Sequence, residues 1–171
     1  DKKWRYVIID QRLPILTASR TPIYARCMNK SELWVSLIEK AYAKLLGCYE
    51  CLASGFIDDG LSDMTGFVAE KMNLHTKDTG VFTNKGLGTE DQLWEYLKGP
   101  KTKSSHSLIG CSKYSAGPTQ AEIEYEGEPC GILAKHAYAI CNILELENKK
   151  KTDTYRLLRL RNPHGHTEWN M

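Results

Sequence analysis

Two arms rich in aliphatic residues, joined by a polar turn, constrain the fold of this chain more than any other segment. The first arm runs from His136 to Leu146, the turn from Glu147 to Asp153, and the return arm from Thr154 to Arg161, where Asn162-Pro163 stops it. Ile, Leu and Tyr recur in the arms, and the turn carries Asn148, Asp153 and three lysines, so the segment reads as a β-hairpin. In an antiparallel ladder, opposed residue numbers sum to a constant. A turn centred near Lys149 or Lys150 gives a sum of about 298 to 300, which sets His136 opposite residue 162 to 164. Directly opposed Cβ atoms lie about 4.5–5.5 Å apart. The hairpin therefore predicts an imidazole and the Asn162 carboxamide together at one end of a sheet.

A histidine oriented by an asparagine is the base half of a Cys-His-Asn triad, so the rest of the chain has to be searched for the nucleophile. Hydrophobic residues make up 42% of the 171 positions, enough for a real core. The net charge of +2, with both signs interspersed, gives no polybasic face for nucleic acid. The longest basic run, Lys149 to Lys151, is the solvated hairpin turn. No apolar stretch approaches the ~18 residues of a transmembrane segment. The chain opens on Asp1 with no signal peptide and is expected to be a piece of a longer protein. Cys27, Cys48, Cys51, Cys111, Cys130 and Cys141 are too sparse for a disulfide scaffold, and several lie in apolar runs. Reduced core cysteines and a cytoplasmic setting are the expectation.

Along the chain, Trp4 to Ile9 predicts a short strand and Tyr24 to Cys27 a second. Leu33, Trp34, Leu37, Ile38, Ala41, Tyr42, Leu45 and Leu46 follow the one-faced spacing of a helix, which Asn29 and Glu32 open as a capping box and Gly47 ends. Ser54 to Gly66, rich in Gly, Ser and Asp, marks a subdomain boundary. His75 to Gly88 reads as a loop. Thr89 and Gln92 open a helix over 90–98, which Gly99-Pro100 stops. Lys101 to Ser105 is a polar loop, Ser107 to Ser112 a strand, and 113–131 irregular. Helices early and strands late predict an α+β fold, a helical N-terminal part followed by an antiparallel sheet subdomain. Cys48-x-x-Cys51 has no second pair at zinc spacing and reads as packing on an amphipathic helix.

These residues also resemble a known family. Leu37 to Glu50 looks like the long helix in the first half of the calpain protease core, and Asp10-Gln-Arg-Leu-Pro14 resembles the segment that precedes it. Asp63-Met-Thr-Gly66 resembles the join between the two core subdomains. Lys135-His-Ala-Tyr-Ala139 is similar to the calpain histidine motif, and Arg159-Leu-Arg-Asn-Pro-His-Gly165 followed by Glu168-Trp169 to the asparagine motif. The resemblance implies a papain-like core fragment: residues 1–63 as the later part of the first core subdomain and 64–171 as most of the second. It implies a calcium-dependent cysteine endopeptidase acting on protein or peptide substrates, with His136 as general base and Asn162 as its orienting partner. Calcium would align the subdomains. The nucleophilic cysteine would precede Asp1, in a missing N-terminal core segment, and further domains would belong to the parent chain. The fragment alone is then expected to be inactive.

Glu32 matches a carboxylate of the family's first calcium site and Glu168 one of its second, so each site is partial here. Glu32 also suits a helix N-terminus without any metal. Two positions depart from the family pattern: His164 stands where Trp, which packs near and gates the triad, is usual, and Lys135 where Gly is usual. Both motivate an alternative, a catalytically degenerate calpain-like module that binds a partner. His164 could also compete for the role of His136. A transition-metal site from His136, His164 and His166 is a third, weaker reading.

Overall fold

The computed structural model describes residues 3–77, 80–99, 107–113, 121–125 and 127–165. The chain divides into two units, Asp1–Val68 and Ala69–Met171. The first is helical, the second carries the antiparallel strands, and the α+β expectation holds. No helix among the described residues is long and apolar enough to cross a membrane.

In the first unit, helix α1 (Trp34–Leu46) and helix α2 (Ile57–Thr65) flank a 3-10 turn, Glu50–Leu52. Helix α1 grips the segment before it through polar side chains. Ser36 Oγ donates to the Ala25 carbonyl at 2.6 Å, and Ala25 N–H donates to Glu39 Oε2 at 2.8 Å. Lys44 Nζ donates to the Ile8 carbonyl at 2.7 Å, and Lys40 Nζ to Asp10 and the Arg12 carbonyl. The two strands expected here do not form. Tyr6 is 98% exposed, and the Ile8 carbonyl is taken by a lysine rather than by a ladder. Alternation alone cannot supply a pairing partner. Nor do Asn29 and Glu32 cap α1, which begins at Trp34 without a side-chain cap. Asn29 Oδ1 accepts from Ser31 N–H at 3.1 Å and its Nδ2 donates to Glu32 at 2.9 Å, a turn ahead of the helix.

Helix α2 occupies the Gly- and Asp-rich stretch. Asp58 and Asp59 lie in its first turn, where the helix dipole favours them, and Gly66 ends it with φ 73°. A Cβ at Gly66 would meet the exposed Trp4 ring at 2.9 Å and push it aside, while the left-handed backbone is what asks for glycine.

The ammonium of Lys40 and the guanidinium of Arg12 hold the Asp10 carboxyl well below the ordinary carboxylate range. A carboxyl lowered in the folded state stabilises it fully above the ordinary pKa of about 3.9 and loses that contribution as pH falls below it. Circular dichroism between about pH 4 and 2 is expected to show an acid-induced loss that Asp10→Asn reduces.

The second unit begins with a hairpin, β1 (Leu74–Lys77) with β2 (Gly80–Thr83), where a loop was expected. Helix α3 (Glu90–Lys98) matches the expected span. Thr89 Oγ1 accepts from Gln92 N–H at 3.2 Å, while Gln92 Oε1 accepts from Gly88 N–H at 2.7 Å. The reciprocal cap thus reaches one residue further back than in the standard box. The expected strand over 107–112 shortens to β3 (Gly110–Ser112), and β4 (Glu122–Tyr125) pairs with β5 (Glu128–Leu133) within the stretch expected to be irregular. The expected loop 101–105 lies outside the described residues.

The expected C-terminal hairpin is β6 (Ala137–Glu147) with β7 (Thr154–Arg161), and β3 adds to β6 on its other edge. Asn148 builds the turn: its N–H donates to the Asp153 carbonyl at 3.0 Å and its Oδ1 accepts from Thr152 N–H at 2.9 Å. Near the turn the pairing is Glu147↔Thr154, a sum of 301; beyond Cys141 it is Ile140↔Leu160, a sum of 300. An extra residue in β6 at Cys141, a β-bulge, makes the difference. The bulge also changes which residues face inward: Tyr138 and Ile140 on the site side continue as Ile143 and Glu145 on the turn side. Helix α3 joins that same face. Buried Trp94 donates from Nε1 to Glu145 at 3.4 Å, Lys98 pairs with Glu145, and Arg156, opposite Glu145, pairs with Asp91 at 2.6 Å.

Candidate active site

The site lies where β6 begins and β7 ends. His136 and Asn162 are 6% and 9% exposed, whereas His164 is exposed. His136 Nε2 lies 2.8 Å from Asn162 Oδ1. A sum of 300 carried past the last pair places residue 164 opposite 136 and residue 162 opposite 138. The imidazole therefore reaches diagonally to Asn162 and stacks on its direct neighbour. The His136 and His164 rings are 4.2 Å apart and 11° from parallel.

The proton on this imidazole can be placed. Asn162 Oδ1 also accepts the backbone N–H of His164 at 3.0 Å. A backbone N–H only donates, so the amide atom facing it is the oxygen. The same oxygen faces His136, so Nε2 carries the hydrogen. In the neutral ring Nδ1 then holds the lone pair and is the basic nitrogen. Two donors on one carbonyl oxygen fix both the carboxamide and the tautomer.

The turn into β6 is tightly held. Lys135 N–H donates to the Lys113 carbonyl and Ala134 N–H to the Ala121 carbonyl, both at 2.8 Å. Tyr138, which the sequence reading did not single out, packs edge-on against His136 with centroids 4.9 Å apart, and its hydroxyl accepts from Leu133 N–H at 2.9 Å. The period-two run His136, Tyr138, Ile140 was the available signal for it. Lys135 sits at φ 54°, the left-handed region, which costs a side-chain-bearing residue about 1–2 kcal/mol. Lys135→Gly is therefore expected to raise stability by about 1 kcal/mol, read as a higher urea midpoint at unchanged slope.

Two of the cysteines have surroundings opposite to those of an activated nucleophile. Cys111, opposite Tyr138 in the ladder, is half-buried, and burial pushes its thiol pKa up. Cys48, in the other unit, is pushed up by its hydrogen bond to Cys51. The Glu32 carboxylate is exposed and accepts from Asn29 Nδ2 and Trp34 Nε1. Among the described residues no group of three or more His, Cys, Asp or Glu is placed to hold a metal. Glu168 and His166 lie outside the described residues.

A buried imidazole held by an asparagine at a sheet end has the arrangement of the His–Asn pair in papain-like cysteine protease sites. The comparisons narrow the class. The profile of the calpain family cysteine proteases matches residues 1–171. Calpain-5 of Mus musculus is 36% identical over 173 residues, covering 98% of this chain and 25% of that protein. Calpain-5 of Caenorhabditis elegans is 34% identical, over 98% of the chain and 26% of that protein. A calpain-type cysteine protease of Arabidopsis thaliana is 32% identical, over 98% of the chain and 7% of that protein. The chain belongs to the calpain family of cysteine proteases. It spans about a quarter or less of the length of these relatives.

Proposed function

We propose that this chain is the part of a calpain-type cysteine endopeptidase core that supplies the general base, His136, and its orienting partner, Asn162. The observation that carries the reading is the buried 2.8 Å bond from His136 Nε2–H to Asn162 Oδ1. It leaves Nδ1 as the proton acceptor. In the whole enzyme a cysteine thiol gives its proton to Nδ1 and the thiolate adds to the peptide carbonyl. The imidazolium then protonates the leaving amine, leaving a thioester. Nδ1 takes a proton from water as it attacks the thioester, and returns it to the departing thiolate. Asn162 keeps the ring oriented throughout and steadies its charged form.

The nucleophile comes from outside these residues in this reading. The raised thiol pKa values of Cys48 and Cys111 are the reverse of activation. The helical unit is the later part of the first core subdomain, and the strand-bearing unit is most of the second. The partners are a protein or peptide substrate and the rest of the parent chain. The parent's cytoplasmic setting rests on six free cysteines. Calcium takes six to eight oxygens. Glu32 offers one carboxylate already engaged by two donors, so the described residues do not fit a calcium shell by themselves.

The test compares the 171-residue chain with the parent's complete core on a protein substrate. Turnover by the core, abolished by a thiol alkylator, with none by the fragment, is expected. Alkylator-sensitive turnover by the fragment, or an inert core, would overturn the reading.

A further inference from the structure

The pair Cys48 and Cys51 was expected to pack into a core, and it does not. Both thiols are exposed. Gly47, at φ 119°, ends α1, and the chain turns at once into the 3-10 turn Glu50–Leu52, with Leu52 N–H bonded to the Tyr49 carbonyl at 2.9 Å. This helical turn brings the sulfur atoms to 3.3 Å, hydrogen-bonded to each other. A disulfide holds its sulfurs at about 2.05 Å, so from 3.3 Å the pair has only about 1.3 Å left to close.

We propose that Cys48 and Cys51 are a redox dithiol that closes reversibly to an intrachain disulfide by exchange with a small-molecule disulfide such as oxidised glutathione. One thiolate of the pair attacks the small disulfide, forms a mixed disulfide and releases one small thiol. The neighbouring thiol then displaces the second. Two cysteine thiols are oxidised, one small disulfide is reduced to two thiols, and the two protein protons leave on them. A small thiol in excess reverses both steps. The second step is intramolecular, so the mixed disulfide is short-lived.

The other thiols are placed differently. Cys130 is buried, Cys27 and Cys111 are partly so, and exposed Cys141 points its thiol at its own strand's Ala139 carbonyl at 3.9 Å. Closure also has a structural consequence. Tyr49, between the two cysteines, stacks on Tyr24 with centroids 4.3 Å apart and planes 6° from parallel. The disulfide would staple the turn that holds Tyr49 there. This inference is independent of the peptidase reading.

The test equilibrates the 171-residue chain across a series of reduced-to-oxidised glutathione ratios, followed by acid quench, alkylation in denaturant and tryptic mass analysis. One tryptic peptide, 45–71, contains both cysteines. It is expected to become lighter by two hydrogen atoms and to take no alkyl group. Half-closure is expected at a ratio at least about tenfold more reducing than half-modification of Cys141. Cys48→Ser and Cys51→Ser are each expected to leave a lasting glutathione adduct on the remaining thiol. A wild-type peptide that accumulates adducts without closing, closes no more readily than Cys141 is modified, or stays fully alkylated throughout, overturns the proposal.

Discussion

His136→Ala, made in the parent's complete core, is expected to lower kcat by about 10²–10⁴-fold, the range for losing a positioned general acid–base. KM is expected to move little, because the imidazole acts on the proton in flight rather than on the bound peptide. The substitution removes more than a base. The ring is 6% exposed, stacks on His164 at 4.2 Å and meets Tyr138 edge-on, so its loss opens a hole at the start of β6. His136→Gln fills more of that hole, offers an amide N–H to Asn162 Oδ1 and still cannot relay a proton. A fall of the same size in both variants, with the glutamine variant's melting temperature near wild type, assigns the effect to proton transfer. A glutamine variant that keeps wild-type turnover sinks the assignment of His136 as base.

The pairing of His136 with Asn162 was legible in the sequence because a hairpin's register is arithmetic, yet the agreement hides a compensation. The turn is centred half a residue beyond Lys150, so the ladder near it sums to 301. Carried to the site, that sum would put Asn162 opposite Ala139 and on the face away from His136. The bulge at Cys141 restores a sum of 300 and with it the shared face. Nothing in Ile140-Cys-Asn142 announces a bulge, since the residue types that favour one are weakly restricted when no glycine is required. Tyr138 and the stacked His164 ring follow from the corrected register.

The misses have a common physical source. Trp4 to Ile9 and Tyr24 to Cys27 carry strand-like residues, but a strand exists only with a partner, and α1 satisfies this region with Ser36, Glu39, Lys40 and Lys44 instead. Composition alone likewise hid α2. Its two aspartates and its Gly66 cap are helix signals, set in a stretch whose Gly, Ser and Asp content reads as a boundary. The amphipathic pattern of α1 predicts Cys48 and Cys51 in the core, but Gly47 ends that helix before its apolar stripe reaches them.

Asn162→Ala is expected to cost both rate and stability, and the two can be separated. In the folded chain Asn162 Oδ1 accepts from the His136 ring and from His164 N–H, at 2.8 and 3.0 Å. Truncation strands a buried imidazole N–H, worth about 1–3 kcal/mol of stability. Catalysis loses the bond to a ring that becomes cationic, worth about 1.5–3 kcal/mol, or roughly 10–150-fold in kcat. Asn162→Asp distinguishes orientation from mere packing. Both groups facing Oδ1 are donors, so a carboxylate can accept both, and its charge favours the imidazolium. In a pH profile of kcat/KM for the parent core, the aspartate variant is expected to regain much of the alanine variant's loss, with the limb governed by the base displaced to higher pH. If Oδ1 and Nδ2 were exchanged, the lost amide donor could not be replaced by a carboxylate. Asp would then fare no better than Ala, and that equality would refute the tautomer assigned to His136.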